Sequence, residues 1–129
     1  MPESSSSPLP DEGTNSVVLM HEVEPGIVQI TMQDRVHKNM FSAALVNGLI
    51  KAFQSLEDNL SYKVVILTGY ENYFASGGSK ESLLAIQEGK VKFTEVKIYH
   101  LALDCKLPVI AAMQGHGIGA GWAMGMFCD

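Results

Sequence analysis

Two glycine-rich stretches hold the residues whose types and spacing could do chemistry. Residues 74–80 read Phe-Ala-Ser-Gly-Gly-Ser-Lys after an apolar strand pattern, and residues 114–121 read Gln-Gly-His-Gly-Ile-Gly-Ala-Gly after another. Glycine lets backbone N–H groups approach a ligand, because no Cβ stands in the way. Two such strand-to-helix junctions in one parallel sheet could each aim an N–H at one carbonyl oxygen. The chemistry would be an oxyanion hole for an enolate or a tetrahedral intermediate.

Charged and titratable side chains near these stretches have two interpretations each. Lys80 stands at the start of a predicted helix, where it could hold a substrate carboxylate or only be solvated. His116 lies between glycines, a setting more typical of a structural residue than of a base. Arg35 and His37 in a polar loop could meet phosphates or simply face water. Either glycine stretch alone would equally fit an ordinary turn, and the occurrence of both favours a site.

Several other chemistries are excluded by the sequence. A dinucleotide fingerprint would need glycine at Ala120 and an acidic residue about twenty positions later, for which the chain leaves no room. A net charge of −5 without a Lys or Arg run disfavours nucleic acid. Cys105 and Cys128 have no metal-ligand spacing and are expected to be buried thiols, so we expect no metal site. The sequence has no signal-peptide pattern and no membrane-length apolar run, which predicts a cytoplasmic protein without a membrane partner.

The elements that must position these residues follow from apolar periodicity. Residues 1–15 are rich in Ser and Pro and predict a flexible tail or linker, and residues 16–129 predict the folded part. We expect an α/β fold with βαβ units. Its predicted elements are a hairpin around Pro25-Gly26, a helix over 41–56 with Ser42 near its start, strands over 64–67 and 108–113, and helices over 80–87, 94–104 and 118–127.

With both junctions in view, residues 17–129 resemble the crotonase, or enoyl-CoA hydratase/isomerase, superfamily. The matching pieces are residues 34–39, 64–69, 73–78 and 106–121, with Cys128-Asp129 at the end. The resemblance implies the N-terminal part of a ββα spiral core, with the N–H groups of Gly78 and Ala120 as oxyanion-hole donors for a thioester carbonyl. Family hydratases carry a glutamate where this chain has Ala123, so hydration is disfavoured. The residues then expected to line the substrate site are Asn39, Ala75, Ser76, Gly77, His116 and Gly119.

The sequence of residues 76–81 and 111–116 is most similar to the decarboxylating enoyl-CoA hydratase homologues of polyketide β-branching cassettes. That resemblance implies decarboxylation of a 3-methylglutaconyl group on an acyl carrier protein, with Lys80 contacting the carboxylate. Phosphopantetheine would belong to the substrate, so no cofactor is expected, and the full-length protein would be a homotrimer. Crotonase folds are about twice as long, so we expect this chain to be an N-terminal part. Two alternatives stay open: a hydratase or isomerase acting on acyl-CoA, and an inert thioester-binding module.

Overall fold

The computed structural model describes residues 16–78, 80–89 and 97–129. The predicted tail over 1–15 and the first part of the predicted helix over 94–104 lie outside the described residues. The strands are β1 (Val18–Glu24), β2 (Ile27–Met32), β3 (Met40–Phe41), β4 (Val64–Thr68), β5 (Tyr73–Ala75), β6 (Gly77–Gly78), β7 (Val109–Ala112) and β8 (His116–Gly117). The helices are α1 (Ala43–Leu56), α2 (Lys80–Gln87) and α3 (Ala120–Met126), with a 3₁₀ helix at Lys97–His100.

A four-stranded sheet in the order β1-β2-β4-β7 forms the centre of the fold. β1 and β2 form the predicted antiparallel hairpin, whose turn contains Gly26 at a φ of 84°. β2, β4 and β7 are parallel, with Val28 opposite Val65 and Val65 opposite Val109. Parallel neighbours require crossover connections, and α1 and α2 lie in those connections. The α/β prediction is therefore confirmed.

Helix α1 covers one face of this sheet. Ser42 caps its N-terminus, and the Ser42 hydroxyl accepts a hydrogen bond from the Leu45 N–H at 3.1 Å. Leu45, Leu49 and Phe53 recur at helical spacing and turn inward. They pack against alternate side chains of the sheet strands. The buried core on this face also contains Val28, Ile30, Met32, Val65, Leu67, Val109, Ile98 and Ala102.

Two short parallel strand pairs lie beside the main sheet: β3 with β6, and β5 with β8. In these pairs Phe41 is opposite Gly78, and Tyr73 is opposite His116. The glycine-rich stretches are therefore not free loops. Each is anchored to a neighbouring strand, which fixes where its N–H groups point.

Two sequence-based expectations differ from the structure. The described part of the predicted helix over 94–104 is a 3₁₀ helix followed by turns. The strand expected to be buried over 108–113 buries Val109, but leaves Ile110 51% exposed. Ile110 points to the opposite face of the sheet from the buried Val109, and β7 is the last strand in the sheet order, so its outer edge has no neighbouring strand among the described residues. None of the described helices is long and apolar enough to cross a membrane.

Candidate active site

The two glycine-rich stretches lie against each other, backbone to backbone. The Ile118 N–H donates to the Ala75 carbonyl at 3.0 Å, and the His116 N–H donates to the Asn72 carbonyl at 2.7 Å. Because β5 and β8 run parallel, the segments that follow them, one ending in Gly78 and the other in Ala120, leave the pair on the same side. The structure thus brings together the two junctions that the sequence singled out.

Gly121 and Gly77 permit this close approach. A Cβ placed on Gly121 would lie 2.2 Å from the Ala75 carbonyl oxygen, and a Cβ on Gly77 would lie 2.8 Å from the Ile118 carbonyl oxygen. Both separations are far shorter than real contacts, so any side chain would force the segments apart. Gly77 also has a φ of 87°, which other residues rarely adopt. The same position on Gly77 is 3.4 Å from the Ala120 nitrogen, so the Gly77-Gly78 segment and the start of α3 are immediate neighbours.

The N-terminus of α3 has no side-chain cap. Its cap residue, Gly119, has a φ of 55° and offers no side-chain acceptor. The Gly121 N–H donates to the Ile118 carbonyl and the Ala123 N–H donates to the Gly119 carbonyl. The Ala120 N–H has no such acceptor among the described residues, as is usual for the first turn of a helix. This N–H is therefore available to an oxygen of a bound ligand.

Lys80 is the first residue of α2, and its side chain is exposed. It forms no ion pair with the side chains that the structure describes. A cation at a helix N-terminus opposes the helix dipole, so this position does not favour lysine for stability. One residue separates Lys80 from Gly78, so the Lys80 backbone belongs to the same junction as the proposed donor.

Asn39 has an internal structural role that the sequence did not indicate. Its side chain is fully buried. Its amide nitrogen donates to the carbonyls of Met32 at 3.0 Å and Phe74 at 2.8 Å, and its oxygen accepts from the Asp34 N–H at 2.8 Å. All of these bonds are internal, so the side chain has no group left for a substrate. Asn39 thus links the polar loop to the strand that leads into Gly77-Gly78, and its expected place beside the substrate stays a prediction.

Ala75 and Ser76 also hold the site rather than line it with their side chains. Ala75 is fully buried, and its carbonyl is engaged by Ile118. The Ser76 N–H donates to the Asn39 carbonyl at 2.9 Å, and the Ser76 hydroxyl donates to the Lys38 carbonyl at 2.5 Å. The expected place of Ala75 and Ser76 along the substrate stays a prediction. In contrast, Gly119 and His116 are exposed beside the junction.

His116 and two basic residues of the polar loop lie close to tyrosine rings. The His116 ring is 5.7 Å from that of Tyr73, and the Lys38 ammonium is 5.9 Å from the same ring. The Arg35 guanidinium lies 4.6 Å from the Tyr70 ring, and it also pairs with Glu71. These contacts give the cations protein partners. The His116 ring is nevertheless exposed, so its expected contact with the substrate stays a prediction.

Asp34 is a buried carboxylate that organises the start of the loop. It accepts hydrogen bonds from the Ser42 hydroxyl at 2.6 Å and from the His37 N–H at 3.1 Å, and the His37 ring lies 3.0 Å away. Burial acts to raise its pKa, but the bonds from Ser42 and His37 outweigh burial and hold the pKa below its usual range. His37, which could have met a phosphate, is thus tied to Asp34.

Gln114 is a site-building residue that sequence reasoning missed. Its side-chain oxygen accepts from the Gly69 N–H at 3.1 Å, and its nitrogen donates to the carbonyls of Glu71 at 3.2 Å and Tyr73 at 2.9 Å. It thereby connects the end of β4 to the turn that leads into β5. Its position directly before Gly115 was visible in the sequence, but nothing there indicated these long-range partners. The described residues contain no group of three or more His, Cys, Asp or Glu suited to a metal ion.

The comparison with known families agrees with the fold, with the paired glycine junctions and with the uncapped N-terminus of α3. The model of the enoyl-CoA hydratase/isomerase family matches residues 22–129. The chain belongs to this family, as the resemblance predicted.

Among individual proteins, the chain is similar to the bacillaene synthase decarboxylase PksI of Bacillus subtilis. The two are 60% identical over 116 residues, which are 90% of this chain and 47% of PksI. A structure of a dehydratase/decarboxylase enzyme couple involved in polyketide β-branching matches with a TM-score of 0.85 at 60% identity, covering 88% of this chain and 46% of that one. The ECH2 decarboxylase domain of CurF from Lyngbya majuscula matches with a TM-score of 0.81 at 48% identity, covering 89% and 46%. The chain thus spans about half the length of these relatives.

Proposed function

We propose that the protein decarboxylates a 3-methylglutaconyl thioester on an acyl carrier protein to a 3-methylcrotonyl thioester, as a lyase of polyketide biosynthesis. The observation that carries this proposal is the contact of the two glycine junctions, which puts the Gly77-Gly78 segment beside the uncapped Ala120 N–H. The 60% identity to a decarboxylase supports the choice of reaction within the family.

The reaction needs a place for negative charge, and the junction provides one. The bond between C4 and the carboxyl carbon breaks, CO₂ leaves, and the electron pair moves through the conjugated system onto the thioester oxygen as a dienolate. N–H groups of Gly78 and Ala120 that donate to this oxygen would stabilise the dienolate more than the neutral thioester. Addition of one proton at C4 completes the 3-methylcrotonyl product.

Lys80 would orient the carboxylate that is lost. Its side chain is exposed at the start of α2, two residues beyond Gly78, and can approach the far end of a short acyl chain whose carbonyl lies at Gly78. Fixing the carboxylate sets the breaking bond perpendicular to the plane of the conjugated system, which the electron flow requires. The proposed roles of Lys80 and Gly78 therefore depend on each other.

Ala123 disfavours water addition as the main reaction. It lies one turn after Ala120 on α3, where the family's hydratases place a glutamate by the resemblance stated above. A methyl group cannot accept a proton from water, so this half of a hydration mechanism is missing. Hydration on acyl-CoA is accordingly the second candidate, and the inert thioester-binding module is the third.

The substrate carrier, the oligomeric state and the cellular location are part of the same proposal. The thioester would be carried by an acyl carrier protein, with phosphopantetheine as part of the substrate and no further cofactor. A homotrimeric assembly and a cytoplasmic location fit a biosynthetic enzyme of this family. Size-exclusion chromatography with light scattering tests the trimer directly.

The test uses the purified protein with a 3-methylglutaconyl carrier protein and follows the acyl group by intact-protein mass spectrometry. Decarboxylation predicts loss of the mass of CO₂ at a rate proportional to enzyme. Gain of the mass of water would overturn the proposal in favour of hydration, and an unchanged mass would favour the inert module. The same carrier loaded with a 3-methylcrotonyl group is the control for spontaneous changes.

A further inference from the structure

Leu83 of α2 covers the backbone of Gly78. A Cβ placed on Gly78 would lie 3.1 Å from Leu83 Cδ2 and 3.3 Å from Leu83 Cγ. The leucine therefore occupies the space directly outside the glycine, yet 57% of it is exposed. An exposed apolar side chain at a junction with an available N–H group is well placed to contact a ligand.

Leu83 and Lys80 belong to the same side of α2. They are three residues apart, so their side chains are neighbours on the helix surface. Helical side chains also lean toward the N-terminus of their helix, which directs Leu83 toward Lys80 and Gly78. One apolar side chain thus lies against Gly78, the proposed donor, and on the same side of α2 as Lys80.

We propose that Leu83 contacts the branch methyl of the acyl chain and makes the enzyme prefer methyl-branched over unbranched substrates. This inference rests on the proposed function. In a 3-methylglutaconyl thioester the carbonyl is C1 and the lost carboxylate is C5, so the methyl on C3 lies midway between them. A chain that spans from Gly78 to Lys80 therefore brings this methyl to the position of Leu83. A single methyl group in an apolar pocket typically changes kcat/KM by about 10- to 200-fold.

The experiment compares 3-methylglutaconyl and glutaconyl groups on the same carrier protein. The wild type is expected to prefer the methylated substrate in kcat/KM, and Leu83→Ala is expected to reduce that preference by roughly 10-fold. Leu83→Met keeps an apolar side chain and is expected to retain most of the preference. Leu103→Ala is the matched control, since Leu103 is 58% exposed and lies outside the site. Equal losses for both substrates in Leu83→Ala, or an unchanged ratio, would overturn the inference.

A binding measurement separates this inference from the proposed reaction. The saturated analogues 3-methylglutaryl and glutaryl carrier protein report the methyl preference as a ratio of Kd values without any turnover. If neither unsaturated substrate reacts but Leu83→Ala still removes a preference in Kd, only the decarboxylase proposal fails. If the wild type shows no preference in binding or turnover, Leu83 does not have the proposed role. Thermal unfolding of each variant identifies any loss that reflects misfolding.

Discussion

Gly121 of α3 lies directly against Ala75 of β5: a Cβ on Gly121 would lie 2.2 Å from the Ala75 carbonyl oxygen. This contact sets the distance between the two glycine junctions. It explains why small residues recur in both stretches, because a side chain at either surface would separate the N–H groups that the proposed site needs.

Gly121→Ala is therefore expected to damage both stability and activity. The added methyl forces α3 away from β5, and overpacking of this kind costs about 1–3 kcal/mol in the free energy of unfolding. Displacing one oxyanion-hole donor lowers kcat by about 10²- to 10³-fold. Urea unfolding and the decarboxylation assay measure the two effects. Gly117→Ala is the control, since the nearest atom there is the flexible Met113 Cε at 2.9 Å and the backbone is 3.6 Å away.

Asn39→Ala is expected to destabilise the protein by several kcal/mol. The change removes three internal hydrogen bonds and leaves buried backbone groups without partners, at about 1–3 kcal/mol for each unsatisfied group. Alanine also fits poorly at the φ of 59° that Asn39 adopts. Urea unfolding measures the loss. Asn59→Ala is the control, because the Asn59 amide accepts bonds only within its own surface turn. Equal stability of the two variants would contradict the role given to Asn39.

Asp34 is expected to make the fold sensitive to acid. Its pKa in the folded protein lies below the ordinary value of 3.8, so its contribution to stability is present above that pH and is lost as pH falls through the folded pKa. The free energy of unfolding should therefore fall more steeply below about pH 4 in the wild type than in Asp34→Asn. Asp58→Asn, at an exposed position, is the control. Identical slopes for all three proteins would show that Asp34 does not contribute.

The Cys128 thiol is expected to react slowly in the folded protein. Burial, with a smaller contribution from the Asp129 charge, raises its pKa to about 11 from 9.0. At pH 8 this higher pKa lowers the thiolate fraction by about 100-fold. A more basic thiolate is also more nucleophilic, which offsets the loss in alkylation rate by roughly 10-fold. Alkylation by iodoacetamide in a Cys105→Ser background should be about 10-fold slower in the folded protein than in urea. Equal rates in the two states would contradict this.

Local patterns in the sequence were sufficient to predict most of the fold. The hairpin and α1 follow from turn chemistry, the Ser42 cap and helical spacing, all of which act over a few residues. The exposure of Ile110 and the 3₁₀ helix at Lys97–His100 depend on which neighbours are present, and a single sequence does not carry that information.

The candidate site was predictable only in part for a related reason. The two glycine stretches could be found because both junctions have a local signature. The internal roles of Asn39 and Gln114 could not, because their hydrogen-bond partners lie up to 46 residues away along the chain. Asn39 was expected to line the substrate site because the resemblance gave its place near the pantetheine path. Burial and three internal bonds are tertiary properties, and these decide what its amide can contact.

Lys80→Ala is expected to lower kcat/KM for decarboxylation by roughly 100-fold or more, the scale of losing a charged contact in the transition state. Stability should change little, since Lys80 is exposed and opposes the dipole of α2. Lys106→Ala is the matched control: Lys106 is also exposed and pairs with Glu57 at 3.2 Å, away from the glycine junctions. If Lys80 holds the carboxylate, the variant should bind a carrier loaded with the 3-methylcrotonyl product as well as the wild type does, while binding of the 3-methylglutaryl analogue weakens. Unchanged turnover in Lys80→Ala, or equal weakening for both ligands, would show that Lys80 does not recognise the carboxylate.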